Sequence, residues 1–467
     1  QLNSASVSGD PRLFNDSVHN AADGSFLISE DPGNNLLGRG ISGQHCYDVN
    51  SQSDPELYGW SEIIWKAALE EGLDPFPVQY WVYDRDYLMQ AAARTGFPVN
   101  LPHWQYGQEF RELQLGHEYG NQRIYEMIIN TNPSIAYLMK SNPVYDQKLV
   151  MAHCMGHADF FKNNIWFGNT NRDMMDRIKE HRKFVDKLML EDGITYDEIE
   201  EFLDIAFSIE DLIDKTDINP RQISYKLMQT QEAQPLEEDF AVVDTGVMPD
   251  HIAKRFNSPE RIEKDRSVEK KKRDREVRKT PINPDRDVLA YIIENSKVLK
   301  PWQRTLLGFI REQSYYLAPQ GMTKIMNEGW AVYWHQKLIC RDDILDLTHA
   351  TDIADHNAGT LAMSGGRINP YTVGVTIFRD IERRWNKGQH GDAWDAVENR
   401  KEKKLYDDKS MKGRQKIFDV RRLYKDVQFI DTFLTPELCV ELKLYEFKDD
   451  GSGNYRISSR EFQAIKD

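Results

Sequence analysis

His153 and His157 stand four residues apart in QKLVMAHCMGHADFFKNNIWF, the stretch from Gln147 to Phe167. The apolar residues around them recur with a helical period, and on a helix positions i and i+4 share a face. Both imidazoles can then address one atom. A second stretch, QGMTKIMNEGWAVYWHQKLI from Gln320 to Ile339, sets Glu328 and His335 seven residues apart, two turns along one face. Two histidines from one helix and a carboxylate from another form a zinc-type donor set that leaves a position open for water. His153, His157 and Glu328 are therefore the expected metal ligands. His335 is expected as a fourth ligand or as support behind one of the others.

The HCMGH spacing is similar to a zinc-protease helix, but Cys154 stands where such an enzyme has its catalytic Glu. A hydrolase built on this centre needs its base from elsewhere. Glu126 and Glu312 are the candidates taken forward as catalytic, with Glu109 and Glu112 behind them, all singled out by aromatic surroundings. Tyr315 and Tyr316 are read as core aromatics rather than oxyanion donors. Cys154 could act as a nucleophile beside His157, but reads better as a small buried thiol. His103 in LPHWQYG and His117 in LGHEYG read as histidines packed on aromatics.

These side chains need helices to hold them, and the totals allow it. The chain has 467 residues, 40% hydrophobic and 11% aromatic, enough for one large domain with appendages or two to three domains. No run of roughly 18 apolar residues exists, so no membrane span is expected. A net charge of -15 gives no general attraction to nucleic acid or anionic membrane, and no nucleic-acid partner is expected. Four scattered cysteines argue against a disulfide framework and for a cytoplasmic protein.

The expected class is mainly α: a large multi-helix domain with short β elements, including a small C-terminal β-hairpin. Residues 1–54 read as a polar extended arm. Residues 55–230 form a helical part carrying the histidine pair. Ser53 or Asp54 caps its first helix, Pro55 suits the first turn and Gly72 the end. Pro77–Asp84 alternates as a strand does. Tyr119–Lys140 reads as helix, interrupted at Asn132-Pro133. Residues 231–283 form a charged linker, read as solvated because acids and bases interleave. Residues 284–400 return to helices around EGWAVYWH, one of them closed by Gly388. The GTLAMSGG loop lacks the lysine and spacing of a phosphate cradle. Residues 401–467 form a small α+β region, with a hairpin over Tyr445–Ser458.

Several long stretches resemble one family: LPHWQYGQEF, QRIYEMIINTNPSIAYLM, QKLVMAHCMGHADFFKNNIWF, WQRTLLGFIREQSYYLAPQGMTKIMNEGWAVYWH, GGRINPYTVGVTIFRDIERRW and FDVRRLYKDVQFIDTFLTPELC. Together they resemble the SpoVR family, named for stage V sporulation protein R, from roughly Trp60 onward. The resemblance implies functional weight at His153, His157, Asp159, Asn163, Asn164, Glu328 and His335. It implies a link to sporulation, cell-wall or stress physiology. By gene neighbourhood it implies a PrkA-type serine kinase and a von Willebrand-type protein as partners. REQSYY departs from the family pattern, which commonly shows a second acid after Glu312.

The expected function is a metal-dependent hydrolase of amide bonds, with Zn the favoured divalent ion and Fe the alternative. A non-enzymatic scaffold in a kinase-associated complex is the competing reading.

Overall fold

The computed structural model describes residues 46–118, 127–221, 263, 267, 286–345, 347–362, 368–449, 451, 455–459, 461, 462 and 465. In chain order the elements are β1 (Cys46–Asp48), α1 (Pro55–Glu70), β2 (Val78–Tyr83), α2 (Arg85–Ala93), α3 (Trp104–Glu118), β3 (Met127–Ile129), β4 (Ser134–Met139), α4 (Val144–Asn163), α5 (Met174–Leu190) and α6 (Tyr196–Ser208). Then follow α7 (Val288–Asn295), α8 (Pro301–Met322), α9 (Lys324–Ile339), α10 (Ala350–Thr360), α11 (Pro370–Asn386), α12 (Gly391–Asp395), α13 (Arg400–Leu405), α14 (Gly413–Leu423), α15 (Asp426–Phe433), α16 (Pro436–Glu441), β5 (Glu446–Asp449) and β6 (Tyr455–Ser459). The protein is mainly α, as its sequence predicts. Among the described residues no helix is long and apolar enough to cross a membrane.

The chain divides into two compact units, Gln1–Leu203 with Tyr315–Asp467, and Asp204–Ser314. In the smaller unit Asp287 caps α7 by accepting from the Ala290 amide. The same carboxylate takes the buried Arg311 guanidinium at 2.7 Å. Most of the expected charged linker, 231–283, lies outside the described residues.

In the larger unit local signals start the helices. Asp54 accepts from the Leu57 amide and Pro55 opens α1. Asn369 accepts from the Tyr371 amide ahead of Pro370 in α11. Gly388, at φ +65°, follows the end of α11, a conformation that glycine adopts freely. Helix α4 needs no amphipathic pattern, because every residue from Gln147 to Phe161 is buried. It sits in the middle of the main core, with α9 and α11 among its neighbours in that cluster.

The segment expected as helix over Tyr119–Lys140 is corrected by β3 and β4; residues 119–126 lie outside the described part. Asn132-Pro133 makes the turn, and Met127, Ile128 and Ile129 face Tyr137, Ala136 and Ile135 across an antiparallel pair. Helical spacing of the apolar residues misled here. The β-branched residues and the proline favour a hairpin that completes a sheet. That sheet runs β1-β2-β4-β3, with β2 and β4 parallel. Tyr80, Val82, Ala136 and Leu138 join the main core, while Tyr83, Ile129 and Tyr137 pack on the other face. β1 shows that the end of the expected arm is an edge strand, pairing Cys46–Asp48 with Trp81–Tyr83. The C-terminal hairpin forms as expected, β5 against β6.

Helices α4, α9 and α11 approach one another through glycines. A Cβ on Gly156 of α4 would lie 2.6 Å from the Ala331 Cα of α9. A Cβ on Gly374 of α11 would lie 2.2 Å from the Ile325 carbonyl and 2.7 Å from the Gly329 Cα of α9. Backbone cannot move aside as a side chain can, so Gly374→Ala is expected to cost about 3 kcal/mol or more in urea denaturation. Gly359→Ala on α10, where nothing lies within 4 Å, should instead stabilise by roughly 0.5–1 kcal/mol. Equal midpoints for the two variants would remove the close crossing as the reason for the glycine.

Candidate metal centre

The close crossing of α4 and α9 sets the geometry of the histidine group. His153 and His157 stand one turn apart on α4, their rings 4.6 Å apart and edge-on. From α9 the Glu328 Oε2 atom lies 3.6 Å from His153 Nε2 and 3.5 Å from His157 Nε2. One potential ligand atom from each of the three residues lies within 4.8 Å of the others. Both histidines are buried, and Glu328 is half-buried with Oε2 itself fully covered.

The outer nitrogens fix which atom of each ring carries the proton. His157 Nδ1 lies 2.9 Å from Asn327 Oδ1. An amide oxygen only accepts, so Nδ1–H donates and Nε2 keeps its lone pair. His335 Nε2 lies 2.7 Å from Asn357 Oδ1 and donates to it by the same rule. Its Nδ1 then accepts from His153 Nδ1, 2.9 Å away, which leaves the lone pair of His153 on Nε2. Two nitrogen lone pairs therefore face a carboxylate oxygen that accepts no hydrogen bond.

Three acceptors converging in a buried spot repel one another unless a cation lies between them. Around a tetrahedral ion with bonds of about 2.0–2.1 Å, ligand atoms sit about 3.3–3.4 Å apart. The 3.5 and 3.6 Å separations come close to that value. The residues present thus fit a divalent ion. His335 is not in this group: its Nδ1 faces the back of His153, so the structure places it as the histidine's support.

Burial, with His153 nearby, pushes the His335 imidazole well below its ordinary value, so it stays neutral. Asp426 holds the start of α9 in place, accepting from the Ile325 amide at 2.8 Å and the Met326 amide at 2.9 Å. Burial pushes its carboxyl up to about 6 despite those two bonds, with the Glu328 charge adding to the rise.

A carboxyl raised in the folded state contributes stability that is fully present below its unfolded value near 3.8. That contribution is lost as pH rises through about 6. Asp426→Asn is therefore expected to gain on the parent by on the order of 2 kcal/mol between pH 4 and pH 7. Urea denaturation series at the two pH values check this, and a constant difference would refute it.

Glu126 lies outside the described residues. Glu312 is half-buried on α8 and belongs to the smaller unit. Glu109 and Glu112 are exposed on α3. The Tyr316 hydroxyl donates to the Asn130 carbonyl and is a core group. Cys154 is buried in the main core. The His103 ring packs beside Trp104, and the His117 side chain lies outside the described part. Asp159 and Asn164 are structural. Asn164 donates to the Arg421 and Tyr424 carbonyls, and Asp159 binds Arg421 and Trp330.

Sequence reading passed over Asn327, Asn357 and Asp426. Asn327 carried a usable signal, standing beside Glu328 between the apolar pairs Ile325-Met326 and Gly329-Trp330. Asn357 and Asp426 carried none, because their partners are distant in the chain.

Fold and centre together define a mainly helical protein with an interior group of two histidines and a carboxylate. The family described as "SpoVR like protein" matches residues 52–467, and the chain belongs to that family. It is 29% identical over 398 residues, 82% of this chain and 72% of the relative, to the "Uncharacterized protein YcgB" of Escherichia coli (strain K12). No solved structure matches it.

Proposed function

We propose that the protein is a metal-dependent hydrolase of amide bonds in which His153, His157 and Glu328 hold a divalent ion, Zn before Fe. The observation behind this reading is the convergence of two imidazole lone pairs on an unbonded carboxylate oxygen. A divalent ion there would supply Lewis acidity toward a carbonyl and a water of lowered pKa. The chain's own part is to hold the ring orientations through Asn327 and His335 and to cover the back of the centre. Cell-wall peptides are the first substrate class to try.

One observation favours a second reading. Glu109 and Glu112 are exposed on α3. An iron centre of two histidines and a carboxylate uses open positions for oxygen chemistry and does not depend on such a base.

Elemental analysis of protein purified without added metal separates the readings. About one equivalent of Zn, with hydrolysis of amide substrates, supports the first. Iron with oxygen consumption supports the second. A folded parent that holds neither ion after exposure to both would sink both readings. The remaining account would be a scaffold, with a PrkA-type serine kinase and a von Willebrand-type protein as partners to test by co-purification.

A further inference from the structure

Helix α10 has no buried residue of its own, yet polar side chains tie it to the rest of its unit. Asn357 Oδ1 accepts from His335 Nε2 at 2.7 Å. One residue earlier, His356 Nδ1 lies 3.1 Å from Asp146 Oδ1 of α4. Just before the helix, the His349 ring stacks on Tyr145 at 4.9 Å. Asp146 precedes His153 by seven residues, two turns along the same face of α4. At its far end Asn369 Nδ2 donates to the Thr360 and Ala362 carbonyls. Ile353 packs on the main core only partly buried, and an element held largely by polar contacts belongs to the low-stability end of a structure, where local opening is easiest.

The Asn357 contact has a consequence at the centre two imidazoles away. With the amide oxygen in place, the His335 proton sits on Nε2, the His153 proton on Nδ1, and the His153 Nε2 lone pair faces Glu328. Without it, the whole chain of protons can reverse. His335 Nδ1–H then donates to His153 Nδ1, and His153 Nε2–H donates to Glu328 Oε2. The reversed arrangement satisfies the carboxylate with a proton and takes away a ligand lone pair.

We propose that Asn357 is a positioning residue that makes the metal-binding tautomer of His153 conditional on α10 being docked. This rests on the reading that the centre takes a metal ion. Coupling of this kind is reciprocal, so metal at the centre holds α10 down as firmly as α10 favours the metal. Anything that lifts α10, a substrate or a partner, would loosen the ion.

The test uses the full chain with Asn357→Ala and Asn357→Asp. Alanine suits a helix and removes the acceptor, whereas aspartate restores one. In chelator competition with Zn, N357A should bind about 10–100-fold more weakly than the parent, and N357D within about threefold of it. Nitrogen NMR of labelled imidazoles in metal-free protein should show His153 protonated at Nδ1 in the parent and in N357D, and at Nε2 in N357A. Zn should slow amide exchange across α10 in the parent and not in N357A. Unchanged His153 protonation in N357A would overturn the proposal, as would N357D binding as weakly as N357A. Should the parent take up no Zn, the hydrolase reading fails by itself, and the NMR result alone decides whether Asn357 sets the tautomer.

Discussion

Glu328→Gln is expected to abolish metal retention while leaving the protein folded and, without metal, at least as stable as the parent. The two changes share one cause. In the parent a carboxylate oxygen and two imidazole lone pairs converge, and that oxygen accepts no hydrogen bond. Glutamine keeps the size of the side chain but brings an N–H group that can donate to His153 Nε2 or His157 Nε2. It removes the anionic ligand and the repulsion together. A site that gives up local stability for function gains it back when the functional group is removed. A ligand present at about 100 times its Kd stabilises the folded state by about 2.7 kcal/mol. Chelation should therefore lower the melting temperature of the metal-loaded parent by several degrees, and that of Glu328→Gln not at all. Metal content measured beside melts with and without chelator gives both halves of the result. A variant that retains about one equivalent of metal would show that Glu328 is no ligand. A variant that loses metal only because it unfolds would show that the carboxylate is structural.

The three converging residues were legible because each leaves a local mark. Histidines at i and i+4 must share a face, and a lone acid in EGWAVYWH stands out against buried aromatics. The capped helix start at Asp54 and the stop at Gly388 were legible for the same reason, since caps act within a few residues. What stayed hidden depends on the folded chain. The hairpin at Met127–Met139 looks helical by spacing, and only β2, more than fifty residues earlier in the chain, makes β4 a strand. His335 Nδ1 turns to His153, and not to the ion site, because Asn357 on another helix takes its other nitrogen. Gly329 and Gly374 look like weak points of two helices until their backbones are seen in contact. Asp426 looks like the first residue of its own helix, and it also caps α9 from a hundred residues away.

Asp159→Ala is expected to cost about 3–5 kcal/mol in urea denaturation, the largest stability loss from any single side chain near the centre. The carboxylate has no exposed surface and holds four elements at once. Its Oδ2 accepts from Trp330 Nε1 of α9 at 2.8 Å and from Arg421 Nη1 of α14 at 3.0 Å. Its Oδ1 accepts from the Asp74 amide after α1 at 2.8 Å, and its own helix α4 carries His157 two residues earlier. Burial raises the Asp159 carboxyl in spite of Arg421, and burial lowers the Arg421 guanidinium in spite of Asp159. Each charge therefore remains in place at a cost that only the other offsets. Removing the acid leaves a buried guanidinium without its ion-pair partner, together with an indole N–H and a backbone N–H lacking an acceptor. Asp159→Asn should cost less, because its amide oxygen can still accept from Trp330 or Asp74. Replacing both members of the ion pair, Asp159→Leu with Arg421→Met, should recover part of the loss and no more, since the two orphaned N–H groups remain. This ordering sets Asp159 apart from Glu328: the first holds α4 and α9 in register, and the second uses that register. A cost below about 1.5 kcal/mol for Asp159→Ala, the size of one ordinary hydrogen bond, would mean that the glycine crossings alone fix the register of the centre.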